Sequence, residues 1–376
     1  MVRSGPSPWG PEGRRGKPAD LPDFAKETRA VTASAHTSLP FHPLHATSSE
    51  TAASGLPIER LPDAFSLRLS LTERCNFRCL YCMPPDGIAR ASRQELARLE
   101  QTAALVEWLA ETFPLADIKL TGGEPLVRRG IEHLIRRLAN IPGRRDLSMT
   151  TNATLLDRLA DPLAEAGLQR INVSLDTLDP ERFRRLTRGG EVERTLAGIE
   201  AARRAGLGPI KINSVLLEST YRDDVPRLLD YAAEHDLEIR FLELMRTGTE
   251  RKWIESELVS AKKVICELFD SECIDRLSAS GSAPARHTRV TWRGRKMTVG
   301  WITPQFEPFC DRCNRLRLDS RGRLRRCLMD PATFDLRGEI QDGRRNDSAQ
   351  RVENFLLGKR LFLPMDNASP MNQLGG

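Results

Sequence analysis

From residue 66 onward the apolar positions follow two alternating rhythms. SLRLSLT (66–72) alternates with period two, the mark of a strand with one buried face. RQELARLEQTAALVEWLAETF (93–113) repeats its apolar residues every three or four positions, the mark of a helix packed on one side. The pair recurs. Strands are expected at 115–121, 146–152, 168–176, 208–217 and 237–245; helices are expected at 128–141, at 154–167, over a stretch ending near Ala205, and at 223–235. Six units of about thirty residues each describe βα repeats, which build a parallel sheet. Right-handed crossovers curl such a sheet. Six units fall short of the eight that close a barrel, so the expected fold is α/β, an incomplete (βα)6 barrel of the TIM type. Ligands are then expected outside the carboxyl ends of its strands.

After Met245 the rhythm changes. A helix is expected at 260–269, short β segments at 287–303, a cysteine-rich stretch at 310–327 and a loop-like end at Gly375-Gly376. Three regions follow: an aperiodic extension over 1–60, a partial barrel over 61–245, and an α+β region over 246–376 that covers the barrel's open side.

Residues 1–60 are rich in Pro, Ser, Gly, Ala and Thr. They cannot bury enough apolar surface to offset their ordering entropy, so disorder is expected. His36, His42 and His45 fall there and read as part of a floppy extension rather than a metal-binding tract. Glu12, Asp20, Asp23 and Glu27 speak against a transit peptide, and the lack of an apolar run in the first residues speaks against a secretory signal. A true start at a non-AUG codon would also account for this segment, because Met83 is the next methionine after Met1.

The 376 residues are 40% hydrophobic and 29% charged, as in soluble globular chains. No run of about 18 apolar residues is present, so no membrane partner is expected. The formal charge of +6 and pI near 9.0 suit an anionic partner without pointing to nucleic acid. Eight cysteines are too few for a disulfide scaffold, and their spacing carries the information.

Cys75, Cys79 and Cys82 stand as C-x3-C-x2-C in LTERCNFRCLYCMP, directly after the first expected strand. Three thiolates are soft ligands for an iron–sulfur cluster or zinc. A 4Fe–4S cubane ordinarily takes four cysteines, so three leave one iron open to another ligand. The alternative is a zinc knuckle lacking its fourth ligand, which ordinarily uses paired C-x2–4-C elements instead. At the end of the second strand stands Thr121-Gly122-Gly123-Glu124-Pro125. Its glycines allow close backbone approach, and its carboxylate can hold an ammonium group. The cysteine run and GGEP together resemble the radical SAM superfamily. In that family three cysteines hold a 4Fe–4S cluster whose open iron is chelated by S-adenosylmethionine, and GGEP serves the cofactor's amino group.

A second trio is Cys310, Cys313 and Cys327. Cys266 and Cys273 lie far upstream and read as structural. A zinc site remains the alternative here too. Between Cys310 and Cys327 stand seven arginines against two aspartates. Arginine forks suit phosphate oxygens, and in a strand Arg315 and Arg317 would face the same side. CDRCNRLRL, the third cysteine thirteen residues on, and the terminal Gly-Gly resemble the GTP 3′,8-cyclase family, over about 66–376.

That resemblance implies two 4Fe–4S clusters at opposite ends of a channel, S-adenosylmethionine as cofactor and GTP as substrate. It implies a deoxyadenosyl radical that takes the ribose 3′ hydrogen, and a product passed to a cyclic pyranopterin monophosphate synthase in molybdenum cofactor biosynthesis. By position, Tyr81, Gly123, Glu124, Ser174 and Met245 correspond to S-adenosylmethionine contacts. Arg68, Thr150, Lys211 and Arg315-Leu316-Arg317 correspond to GTP contacts. Gly375 and Gly376 resemble a tail that enters the active site and acts with Arg315 and Arg317 in catalysis. Lys119 stands where the family has arginine and keeps the charge without the fork. Ala153 stands where glycine is usual. A homodimer, a reducing electron donor and, since both clusters would be oxygen-sensitive, a cytoplasmic setting are expected. The rival readings are another radical SAM enzyme with an auxiliary cluster, such as a peptide-maturing one, and a zinc-stabilised nucleic-acid-binding protein. An aromatic content of only 6% disfavours the last.

Overall fold

A computed structural model describes residues 60–88, 91–92, 94–248, 250–269, 274–276, 283–341, 345–360, 363, 366–367 and 371. The expected extension over 1–60, apart from Arg60, and the Gly375-Gly376 end lie outside the described residues. Six strands alternate with helices in the first part of the described chain. The strands are β1 (Phe65–Ser70), β2 (Leu115–Thr121), β3 (Asp146–Thr151), β4 (Arg170–Ser174), β5 (Lys211–Leu216) and β6 (Glu238–Glu243). The helices are α1 (Leu99–Thr112), α2 (Ile131–Ala139), α3 (Leu156–Glu165), α4 (Pro180–Thr187), α5 (Val192–Arg204) and α6 (Tyr221–Glu234). The strands pair in chain order, all parallel.

Each of these strands alternates apolar with polar. Leu67, Ile118, Leu147, Ile171, Ile212 and Ile239 have no exposed surface and pack in the main core. Their sequence neighbours Arg68, Lys119, Asp146, Arg170, Asn213 and Arg240 line an internal cavity. Parallel strands covered on both faces normally read as continuous apolar runs. These alternate because one face backs onto the helices and the other onto a polar chamber. Burying each Leu or Ile contributes roughly 1.5–3 kcal/mol, so the outer face holds the sheet together.

The following region contains β7 (Arg246–Thr247), α7 (Arg251–Ser256), α8 (Ala261–Leu268), β8 (Ile274–Arg276), β9 (Arg286–Trp292), β10 (Arg295–Ile302), β11 (Arg315–Leu318), β12 (Arg323–Arg325) and β13 (Phe334–Asp335). It closes with α9 (Leu336–Gln341), α10 (Arg345–Leu357) and β14 (Asp366–Asn367). It extends the sheet from both edges: β11 adds parallel to β1, and β10 adds parallel to β6. Antiparallel strands then follow outward on each side. Eight neighbouring parallel strands therefore form the sheet's centre, and β1 and β6 present no unpaired edge. A separate parallel pair joins β7 to β14.

Two expected elements differ in detail. The helix expected to end near Ala205 is two helices, because Arg188 adopts φ 53° and caps α4 in the left-handed region. The helix expected from residue 93 begins at Leu99. Ahead of it Ser92 and Glu95 close a turn on each other, with the Ser92 N–H donating to Glu95 Oε2 at 2.8 Å.

Candidate active site

The strands β1 to β6, β10 and β11 all contribute to one cavity of about 570 Å³. Cys75, Cys79 and Cys82 line it beyond the carboxyl ends of the barrel strands. Cys310, Cys313 and Cys327 line it beside the short turn that leads into β11 and just after β12. Cys266, exposed on α8, is not part of this lining.

The loop after β1 is tied down from several sides. The Gly123 N–H donates to Thr72 O at 2.7 Å, and the Glu124 N–H donates to Arg74 O at 2.7 Å. A Cβ at Gly123 would stand 2.2 Å from Arg74 O, and one at Gly122 2.6 Å from Thr72 O. The paired glycines thus let the cysteine loop pack on the end of β2. Asn76 donates to Thr154 Oγ1 at 2.8 Å and accepts from Asn152 Nδ2 at 2.8 Å. Phe77 stacks edge-on against Phe183. Arg188 donates to Met83 O at 2.9 Å.

Burial pushes the Cys75 thiol up to about 12 and the Cys79 thiol well above its ordinary value. Thiols held this way need a cationic partner to ionise, and three soft donors on one fixed loop fit an iron–sulfur cluster. The Phe77 N–H already donates to Cys75 Sγ at 3.3 Å. Among the described residues no three Cys, His, Asp or Glu side chains meet at a single-ion site. A cubane asks for something else, since each of its irons takes its own thiolate and the sulfurs stay apart.

Tyr81, Gly123, Glu124, Ser174 and Met245 all face this end of the cavity. The Tyr81 hydroxyl donates to Asp176 Oδ2 at 2.6 Å, and burial pushes the Asp176 carboxyl up to about 6. Glu124 is buried and already engaged: Leu126 N–H at 3.0 Å, Thr151 hydroxyl at 2.7 Å and Asn152 N–H at 2.8 Å all donate to its carboxylate. Burial nonetheless pushes it up to about 7.

Further down, strand register sets cations side by side. Arg68 on β1 lies opposite Arg317 on β11 and opposite Lys119 on β2. Burial, then the neighbouring Arg317 and Arg315, hold Arg68 well below its ordinary value. Burial, then Arg68 and Arg170, do the same to Lys119. Neither Arg68 nor Lys119 forms an ion pair with a carboxylate among the described residues. Such a cluster is built for an anion. Arg170 and Arg240 also line the cavity but are held by acids, Arg170 bidentate on Asp146 at 2.7 Å and Arg240 on Glu238 at 2.6 Å.

Thr150 and Arg315 line the chamber as well. Lys211 does not: it pairs with Glu238 at 2.6 Å. Leu316 packs outward in the core, so only its backbone is on offer to a ligand. The residues that sequence reasoning missed are Asp176, Asn152, Arg170, Arg240 and Lys359. Asp176 had one available signal, its place two residues beyond Ser174 at the same strand end.

At the second trio, Cys313 stands between two cationic donors. Arg315 Nε and Lys359 Nζ each donate to its Sγ at 3.4 Å. Burial pushes the thiol up, but the Arg315 and Lys359 charges outweigh it and bring it down to about 6. Cys327 Sγ accepts from the Met329 N–H at 3.4 Å. Three cysteines beside arginines, one of them held toward its thiolate, fit a second metal cluster facing an anionic ligand.

A curled parallel sheet carrying C-x3-C-x2-C and GGEP at its carboxyl ends defines the radical SAM class, and residues 69–232 match the Radical SAM superfamily. Residues 237–360 match the family described as Molybdenum Cofactor Synthesis C. The GTP 3′,8-cyclase of Pelotomaculum thermopropionicum is 41% identical over 279 residues, 74% of this chain and 85% of that one. The GTP 3′,8-cyclase of Streptomyces coelicolor is 36% identical over 323 residues, 83% of this chain and 94% of that one. Among solved structures, Streptococcus suis SuiB bound to S-adenosylmethionine is similar in fold, with TM-score 0.56 at 14% identity over 78% of this chain and 68% of that one. The chain belongs to the GTP 3′,8-cyclase family. No helix of the described residues is long and apolar enough to cross a membrane.

Proposed function

We infer that this chain is a radical SAM GTP 3′,8-cyclase. It converts GTP to (8S)-3′,8-cyclo-7,8-dihydroguanosine 5′-triphosphate, the first step of molybdenum cofactor biosynthesis. The observation that carries this reading is one chamber with a cysteine trio at each end and the Arg68, Lys119 and Arg317 cluster lining its wall.

Cys75, Cys79 and Cys82 would hold the 4Fe–4S cluster that, with S-adenosylmethionine, supplies the 5′-deoxyadenosyl radical for removal of the ribose 3′ hydrogen. Tyr81, Gly123, Ser174 and Met245 then border the cofactor. Glu124 keeps the loop and the GGEP turn in register while offering a carboxylate edge to the cofactor's ammonium. Arg68, Lys119, Arg315 and Arg317 neutralise the triphosphate, and Thr150 stands nearer the first trio to orient the sugar. Lys211 joins them by exchanging its Glu238 contact for phosphate. Eight strands around the chamber exclude water from the reacting carbon.

We also read Cys310, Cys313 and Cys327 as ligands of a second 4Fe–4S cluster whose open iron faces the guanine. Gly375 and Gly376 act at the same site. Met371, which lines the cavity and donates its N–H to Cys82 O at 3.1 Å, brings the chain to the chamber beside the first trio. The division into 61–245 and 246–376, a homodimer, a reducing electron donor, a downstream cyclic pyranopterin monophosphate synthase and a cytoplasmic setting complete the reading.

The test is iron, sulfide and zinc content after anaerobic reconstitution, in the same sample as turnover with GTP and S-adenosylmethionine. About eight irons per chain with GTP-dependent 5′-deoxyadenosine is the expected result. About four irons with one zinc would remove the second cluster and leave a radical enzyme of another substrate.

A further inference from the structure

Lys359 is 4% exposed, an unusual place for an ammonium group. It sits two residues past α10, its N–H donating to Leu356 O at 2.9 Å. Its ammonium donates three hydrogen bonds that converge on one short segment: Cys313 O at 2.7 Å, Arg315 O at 3.1 Å and Cys313 Sγ at 3.4 Å. Two are to backbone carbonyls on either side of Asn314, where the turn becomes β11. The third is to a sulfur that also accepts from Arg315 Nε. The Arg315 guanidinium in turn lies 4.8 Å over the Phe309 ring.

A buried ammonium with three acceptors fixes what it touches, because losing it would take a charged donor from two backbone carbonyls and leave Arg315 as the side-chain donor to the Cys313 sulfur. It also places a positive charge beside one ligand sulfur of the trio. Hydrogen bonds and charge at ligand sulfurs are principal controls on the potential of an iron–sulfur cluster. Cys327 accepts from the Met329 backbone N–H and has Arg317 as a nearby charge, so the Lys359 ammonium acts on the Cys313 side of the trio.

We propose that Lys359 is the positioning residue of the second cluster: it fixes Cys313 and the start of β11, raises the cluster's reduction potential, and leaves the terminal nitrogens of Arg315 to the substrate. The proposal rests on the reading of Cys310, Cys313 and Cys327 as cluster ligands. Among the described residues the Lys359 ammonium hydrogen-bonds to Cys313 and Arg315, so its effect passes through them.

The test uses the full-length reconstituted holoenzyme, parent, Lys359→Gln and Lys359→Arg. The readouts are iron content, an EPR-monitored redox titration with S-adenosylmethionine added to move the first cluster's signal, and the rate of iron release to a chelator. Lys359→Gln keeps a donor and loses the charge. It is expected to shift the second cluster's midpoint to lower potential and to release its iron several-fold faster, with Lys359→Arg returning both toward the parent. A midpoint and release rate in Lys359→Gln equal to the parent's would overturn the proposal. Should Lys359→Gln fail to load the second cluster, Lys359→Arg decides: a loaded cluster supports the proposal, and an empty site overturns it. A parent with about four irons and a single EPR signal would instead overturn the reading of the trio, and the proposal with it.

Discussion

Glu124 shows how one residue serves both the fold and the site. Its Oε1 accepts from Leu126 N–H and the Thr151 hydroxyl, and its Oε2 accepts from Asn152 N–H. A glutamine cannot replace it, because either orientation of the amide turns an NH₂ toward a backbone N–H. Glu124→Gln is therefore expected to lose about 1–3 kcal/mol of stability in anaerobic denaturant unfolding, the cost of a buried donor left without an acceptor. Iron loading at the first trio should fall with it, since the GGEP turn is what the cysteine loop pairs with. The carboxyl also sets a pH dependence. Burial raises it from an ordinary 4.5 to about 7, so folding favours the neutral acid. Its contribution is full below about 4.5 and is lost as pH rises toward 7. The ligand-free parent should show that downward slope between pH 4.5 and 7, and Glu124→Gln should flatten it.

At the scale of elements, the turn after β3 joins the cysteine loop to α5. Asn152 reaches the loop through Asn76, and its carbonyl accepts from Thr195 on α5 at 3.0 Å. Ala153 sits at φ 64°, left-handed backbone that costs a non-glycine residue roughly 1 kcal/mol. Facing it, a Cβ on Gly198 would stand 2.0 Å from Ala153 O. Gly198→Ala must push α5 off the turn, an overpacking cost of about 1–3 kcal/mol, measurable as a lower midpoint in denaturant. Ala153→Gly should shift that midpoint the other way, by up to about 1 kcal/mol; an unchanged or lower midpoint would show that the lost methyl packing matters more. The alternation of Leu67-Arg68-Leu69 and Ile118-Lys119-Leu120 made the strands legible in the sequence, while the chamber on their polar face came only with the structure. The same periodicity says nothing about neighbours, which is why β10 and β11 did not read as the outer strands of the barrel sheet. The break at Arg188 was hidden because an arginine gives no sign that it will take left-handed backbone. Cysteines announce themselves by spacing. Lys359 and Arg240 do not, since a lone charged residue in an ordinary segment looks the same whether it meets solvent or a buried partner.

Across the whole molecule, the proposed function divides the work between the two ends of the chamber, so substitutions at each end should fail differently. On the proposed reading of Cys82 as a ligand of the first cluster, Cys82→Ala should stop 5′-deoxyadenosine formation while GTP still binds. Arg317→Ala should weaken GTP binding and leave S-adenosylmethionine cleavage possible; one charge-assisted contact is worth about 1.5–3 kcal/mol, or roughly 10- to 150-fold in affinity. The cation cluster carries a cost for the ligand-free protein. Lys119 is crowded by Arg68, Arg170 and Arg240, and burial with that repulsion depresses it below its ordinary 10.5. A lysine whose folded value is depressed opposes folding while charged, so ligand-free stability should rise as pH climbs toward 10.5. Bound triphosphate supplies the missing negative charge and should flatten that rise. Lys119→Met removes the repulsion and, on the proposed reading, a phosphate contact with it. The expected pair of results is a higher unfolding temperature without nucleotide and GTP binding weaker by roughly 10-fold or more, read by calorimetry on the same preparation. A lower unfolding temperature would mean that Lys119 is held by contacts that outweigh the repulsion. Unchanged GTP affinity would mean that Arg68 and Arg317 carry the triphosphate without it.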